Sequence, residues 1–166
     1  MRVFLLAFFA SLCSASFAQK SNDKEAINTL LDNWHLAAAK GDGETYISTM
    51  TEDGVFVGTD ATEHWDRKAF WEFAKPYFEK KTAWDFKPLQ RHIYLSADGK
   101  IAWFDEVLDT WMQLCRGSGV LLKQPNGQWK IAQYVLSMTV PNEVANDVIK
   151  VKTDFEVKQR ERMTKP

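Results

Sequence analysis

The stretch RGSGVLLKQPNGQWKIAQYVLS, from Arg116 to Ser137, holds two runs rich in apolar residues on either side of Asn126-Gly127. Asn-Gly readily takes up the left-handed backbone that a two-residue hairpin turn requires, so two antiparallel strands are predicted. Counting outward from such a turn pairs Leu122 with Ile131, Val120 with Gln133, Ser118 with Val135 and Arg116 with Ser137, all on one face. The other face carries Gly117, Gly119, Leu121, Ala132, Tyr134, Leu136 and Met138. Both faces are largely apolar, whereas a sheet wet on one side alternates cleanly between apolar and polar. Each face of this hairpin therefore needs a cover.

Further strand patterns precede the hairpin. Asp85 to Leu95, Lys100 to Trp111, Cys115 to Lys123 and Trp129 to Thr139 read as four consecutive strands, separated by SADG, a turn near Met112, and PNG, and their economical arrangement is an antiparallel meander. Upstream, Ser21 is a candidate helix cap, and Ile27, Leu30, Leu31, Trp34 and Ala38 recur at helical spacing until Gly41. A short helix (ETYISTM) and a brief strand (Gly54 to Gly58) follow. A third helix, RKAFWEFAKPYFEKK, has Thr62 or Asp66 as its cap, a heavily aromatic side, and Pro76 to kink or interrupt it. Helices followed by a long sheet give an α+β fold in which the helices cover one sheet face.

The ends of the chain carry their own signals. In MRVFLLAFFASLCSASFA a basic start, a short apolar run and small residues at Ser16 and Ala18 read as a secretory signal peptide over residues 1–18. Export to a periplasm or to the exterior is the expected localisation, and the apolar run is too short to span a bilayer. Without the signal, 20 Lys and Arg face 22 Asp and Glu, giving no electrostatic reason to seek nucleic acid or an anionic membrane. Cys115 is then the sole cysteine, expected as a small buried apolar residue. The domain is expected over 19–141, followed over 142–166 by a C-terminal helix or charged tail.

LLDNWHLAAAKGDGETYISTMTEDGVFVGTD, with its helix, Gly-Asp break, short helix and acidic turn into a strand, resembles the opening of the nuclear transport factor 2-like superfamily in its SnoaL-like branch. RGSGVLLK…GQWKIAQYVLS is similar to that branch's closing hairpin. The resemblance implies a cone, in which a curved antiparallel sheet packs on the N-terminal helices around a pocket and the outer sheet face often forms a dimer. Gly58, Trp34 and Ser118 stand near the places where the superfamily's steroid isomerases carry a base and oxyanion groups, which speaks against that isomerisation here.

Because its polar groups are few and interleaved with apolar ones, the face with Arg116, Ser118 and Gln133 is the expected concave, ligand-binding side. Leu121, Tyr134, Leu136 and Met138 are then the expected homodimer surface. Extending the pairing across the turn near Met112 sets Asp109 opposite Arg116 and brings Trp103 and Asp105 to the concave side, whereas a one-residue slip would bring in Glu106. Trp34 and Trp65 are expected to line the pocket. Asp105 in apolar surroundings would be a general acid or base, and His64, at the expected rim, a proton shuttle. The three histidines and lone mature cysteine form no metal motif, so no metal and no cofactor are expected. The leading expectation is a module binding a small apolar or amphipathic molecule. The alternatives are a cofactor-independent lyase or isomerase using Asp105 or His64, and a structural dimerisation domain.

Overall fold

The computed structural model describes residues 3–81 and 83–164, with side chains described from Gln19 onward except Lys20. Helix α1 spans Val3–Lys40. Ile27, Leu31, Trp34 and Ala38 lie on its buried stripe, and Gly41, at φ +69°, supplies the left-handed residue that ends it. Helical backbone runs on through Ser21, so Ser21 is not where the helix begins. The side chains of 1–18, the expected signal, lie outside the described residues.

Asp42 caps the short helix α2 (Gly43–Ser48), which leads into strand β1 (Met50–Val57). Strand β2 (His64–Asp66) then runs into helix α3 (Arg67–Glu79), whose start is fixed where Asp66 Oδ1 accepts the Ala69 N–H at 2.8 Å. Phe70, Ala74 and Phe78 form the buried stripe of α3, and the helix continues a turn past Pro76, which does not interrupt it. Strands β3 (Lys87–Leu95), β4 (Ile101–Thr110), β5 (Gln113–Lys123) and β6 (Trp129–Met138) make the expected meander. The sheet order is β2-β1-β6-β5-β4-β3, with β1 parallel to β6 and every other pairing antiparallel. A 3-10 turn (Asn142–Val144) and helix α4 (Ala145–Met163) close the chain. The architecture is the expected α+β cone, with α1 crossing β3 and α3 crossing β1 on one side of the curved sheet.

The hairpin register agrees with the count from Val120 outward: Val120 faces Gln133, Ser118 faces Val135 and Arg116 faces Ser137. Nearer the turn it shifts by one residue, because the connection is wider than two residues. Gly127 N–H donates to Gln124 O, Gln124 N–H donates to Gln128 O, and Lys123 pairs with Trp129. That bulge turns Ile131 to the other face, opposite Leu121. Between β4 and β5 the register lies two residues from the expected one, with Asp105 opposite Ser118, Val107 opposite Arg116 and Asp109 opposite Leu114. The expected pairing of Asp109 with Arg116 is therefore absent, but a two-residue shift preserves the faces.

The sides of the sheet are exchanged relative to expectation. Ala102, Phe104, Glu106, Leu108, Cys115, Leu121, Tyr134 and Leu136 are buried under the helices, while Trp103, Asp105, Arg116, Ser118 and Gln133 lie on the outer face. Leu121, Tyr134 and Leu136 are core residues and form no dimer surface; Met138, at the strand end, is 56% exposed. The physical reason is crowding on the concave side, where side chains converge. A Cβ on Gly117 would collide with the Tyr134 hydroxyl and Glu106, and one on Gly119 with Phe104 and the Gln133 carbonyl. The two glycines are thus the space into which larger inward residues fit. Cys115 is buried as expected, with its sulfur 3.5 Å from Thr110 Oγ1.

Gly117→Ala is expected to lower unfolding free energy by about 1–3 kcal/mol through overpacking. Ser118→Ala, one residue along on the outer face, should change it by less than about 0.5 kcal/mol. Urea unfolding of both variants, read by tryptophan fluorescence, checks the contrast.

Candidate functional site

Between α3, the end of β1, the segment before β3 and the β4–β5 turn lies a cavity of about 560 Å³. Its floor is Phe56, Phe70 and Leu136, and its walls are Trp65, Trp84 and Phe86. Phe73, Tyr77 and Trp111 stand at the mouth, 41%, 45% and 77% exposed. The spacing of α3 explains much of this: Phe70, Phe73 and Tyr77 fall at i, i+3 and i+7 on one helical face. Trp111 is carried by the tight β4–β5 turn, in which Gln113 takes φ +68°. Ring contacts knit the walls together, with Phe56 stacked on Phe70 at 4.0 Å and Trp65 on Phe73 at 4.8 Å between centroids.

A polar cluster is buried beneath the helices. Glu106 on β4 is fully buried; its Oε1 accepts from His35 Nε2 at 2.8 Å and from the Tyr134 hydroxyl at 3.1 Å, and its Oε2 from Arg91 Nε at 2.8 Å. An ionised carboxylate only accepts, so Nε2 of His35 carries the proton. Arg91 Nη1 donates onward to Asn28 Oδ1 at 2.6 Å and Asp32 Oδ1 at 2.7 Å on α1. Burial pushes the Glu106 carboxyl up, but the hydrogen bond and charge of His35 and the Arg91 guanidinium outweigh it and hold the carboxyl below the ordinary glutamate value. Burial, and then the charge of Glu106, push the Tyr134 hydroxyl well up, so it stays protonated and donates. Neither Glu106 nor Tyr134 lines the aromatic cavity. Three donors thus satisfy this buried carboxylate and tie α1, β3 and β6 to β4.

The candidate residues scatter. Trp65 alone lines the aromatic cavity. Trp34 is in the core, stacked 4.5 Å from Tyr46 and donating its indole N–H to the Tyr46 carbonyl. Trp103 stacks on Tyr94 on the outer face, where Asp105 pairs with His92 at 3.2 Å. Arg116, Ser118 and Gln133 share that outer face, away from the cavity, and His64 is exposed on β2 outside the cavity lining. Sequence reasoning missed Phe73, Tyr77, Trp84 and Trp111 as lining residues, although the aromatic density of α3 pointed toward the first two. It also left Glu106 as the rival of Asp105, when the distant partners His35 and Arg91 decide between them. Among the described residues no group of three His, Cys, Asp or Glu converges to hold a metal ion, and no helix is long and apolar enough to cross a membrane.

The chain belongs to the SnoaL-like domain family, whose model matches residues 27–141. It is similar in structure to an NTF2-like protein of unknown function from Pseudomonas putida KT2440, at 17% identity over 75% of this chain and 92% of that one, TM-score 0.58. A protein of the NTF2-like family from Streptomyces avermitilis, provisionally ascribed a dehydratase activity, matches at 17% identity over 74% of this chain and 99% of that one, TM-score 0.62. A protein from Xanthomonas campestris, provisionally ascribed as a calcium/calmodulin dependent protein kinase II association domain, matches at 21% identity over 70% and 86%, TM-score 0.52. No functionally curated protein matches the sequence. Identities this low establish the fold alone.

Folding lowers the Glu106 pKa, so the unfolded chain binds that proton more tightly. The stabilisation is complete above the unfolded glutamate value of about 4.3 and is lost as pH falls through the lower folded value. Glu106→Gln removes the buried carboxylate that Arg91 and His35 meet, leaving Arg91 only the half-exposed Asp32 as an ionised partner, and should cost about 3 kcal/mol at pH 7. The variant's melting temperature should also fall less than the wild type's between pH 6 and pH 3, which a thermal denaturation series measures.

Proposed function

We propose that this SnoaL-like domain binds a small apolar or amphipathic molecule in its aromatic cavity, and that it does so as an exported homodimer. The observation that carries the binding reading is the concentration of exposed Phe73, Tyr77 and Trp111 around the mouth of a concave, aromatic-walled space. Large aromatic side chains left in water at a cavity of this size are what small-molecule sites present. The proton-transfer alternative loses its support, because Asp105 faces outward and His64 stands outside the cavity. Export is supported by the basic, apolar and small-residue order of residues 1–18.

The dimer reading moves to the outer sheet face. Tyr94, Ile101, Trp103 and Leu114 are each 42–49% exposed there, beside the half-buried Val107, Val120 and Val135. These apolar residues share the outer face with Asp105, Arg116, Ser118 and Gln133, and a second copy would bury them.

Two measurements check these readings. N-phenyl-1-naphthylamine, a neutral apolar dye, should brighten on mixing with the protein. Phe73→Ala should weaken its binding about three- to tenfold, and Ala83→Trp should abolish it at an unchanged melting temperature. No brightening in the wild type would sink the binding reading. Light scattering should give twice the chain mass for the wild type and the single chain mass for Trp103→Glu, and a wild-type monomer would sink the dimer.

A further inference from the structure

The charge of the cavity lining is one-sided. Among the described residues, Glu63 and Asp85 are the only charged ones in its lining, with no lysine, arginine or histidine. Asp85 is already paired, 3.5 Å from Lys87 Nζ, with both side chains well exposed. Glu63 has no ion-pair partner among the described residues. Lys158 and Arg162 of α4 border a separate groove beside Asp60 and Thr62 and do not line the cavity.

The Glu63 carboxylate is also held in place. Its Oε2 accepts the Asp60 N–H at 3.1 Å, while the Glu63 N–H donates to Asp60 O and its carbonyl accepts the Gly58 N–H, both at 2.9 Å. The carboxylate rests over Gly58, where any Cβ would collide with Oε2. The loop 58–63 thus presents a half-buried negative charge to a space walled by Trp65, Phe73, Trp84 and Trp111.

These features select among amphipathic ligands. Aromatic faces, tryptophan above all, attract cations through the ring quadrupole. An acidic ligand would meet Glu63 with no compensating base, and a neutral apolar ligand would strip water from an unpaired carboxylate and return nothing. A ligand ammonium gains both the ring faces and the carboxylate. We propose that the cavity takes an organic cation, an apolar skeleton bearing an ammonium group that sits beside Glu63 and against the tryptophan faces. This assignment rests on the cavity being a binding site, as proposed above.

Calorimetric titration of the protein with three naphthalene probes tests it: the 2-naphthylmethyl-trimethylammonium cation, its uncharged carbon isostere 2-neopentylnaphthalene, and the 2-naphthylacetate anion. The cation should bind about tenfold more tightly than the isostere, and the anion more weakly than either. Glu63→Gln should cut the preference for the cation to about two- or threefold, weakening the cation and, with the carboxylate's desolvation cost removed, tightening the isostere. Equal binding of cation and isostere, tightest binding of the anion, or an undiminished preference in Glu63→Gln would overturn the cation assignment while leaving apolar binding intact. Failure of all three probes to bind would remove both.

Discussion

The burial of Glu106 is the constraint around which the molecule is arranged. A carboxylate with no access to water is tolerated only if donors replace the water it lost. Here they come from three separate parts of the chain: His35 from α1, Arg91 from β3 and Tyr134 from β6. Arg91 in turn reaches back to Asn28 and Asp32, so α1 is tied to the centre of the sheet through charge-assisted bonds. Gly117 has no side chain because Tyr134 and Glu106 meet where one would stand.

A second tie holds α1 nearer its middle. Asp23 is buried and accepts from Lys123 Nζ at 2.6 Å and from Trp129 Nε1 at 3.3 Å, linking the helix to the strand ends beside the Asn126-Gly127 turn. α1 is held over β3, and α3 covers the β1 side. The polar anchor and the aromatic cavity are thereby kept in different layers. The ionised cluster lies under α1, whereas the cavity is built from α3, Trp84, Phe86 and the β4–β5 turn. Tyr134 stands between the layers, bonded to Glu106 and packed 5.4 Å from Phe56 on the cavity floor.

Much of the fold was legible because periodicity is a local property. The stripe Ile27, Leu31, Trp34 and Ala38 announced α1, and the four long alternating runs announced the meander. Parity sorted the residues of β4, β5 and the outer half of β6 into two correct sets, surviving a two-residue error in register because side chains alternate with period two. Ile131 left its set because the turn is wider than the Asn-Gly pair alone implies. Of the site, the aromatic loading of α3 and the place of Trp65 were visible, while Trp84 and Trp111 fell in connections with no period to read.

The sequence by itself determined the elements, their order, and which residues share a face. Only the tertiary structure decided which face is inside. Glycines at 117 and 119 and an acid at 106 look like outward residues when read along the strand, and Arg116, Ser118 and Gln133 look like a sparse polar lining. The reading reverses once Tyr134 and Phe104 are seen to fill the space the glycines leave, and once His35 and Arg91, 71 and 15 residues away in sequence, are seen to satisfy the acid. Local pattern encodes alternation, but the choice of sides depends on steric room and hydrogen-bond partners that are brought together only when the chain has folded.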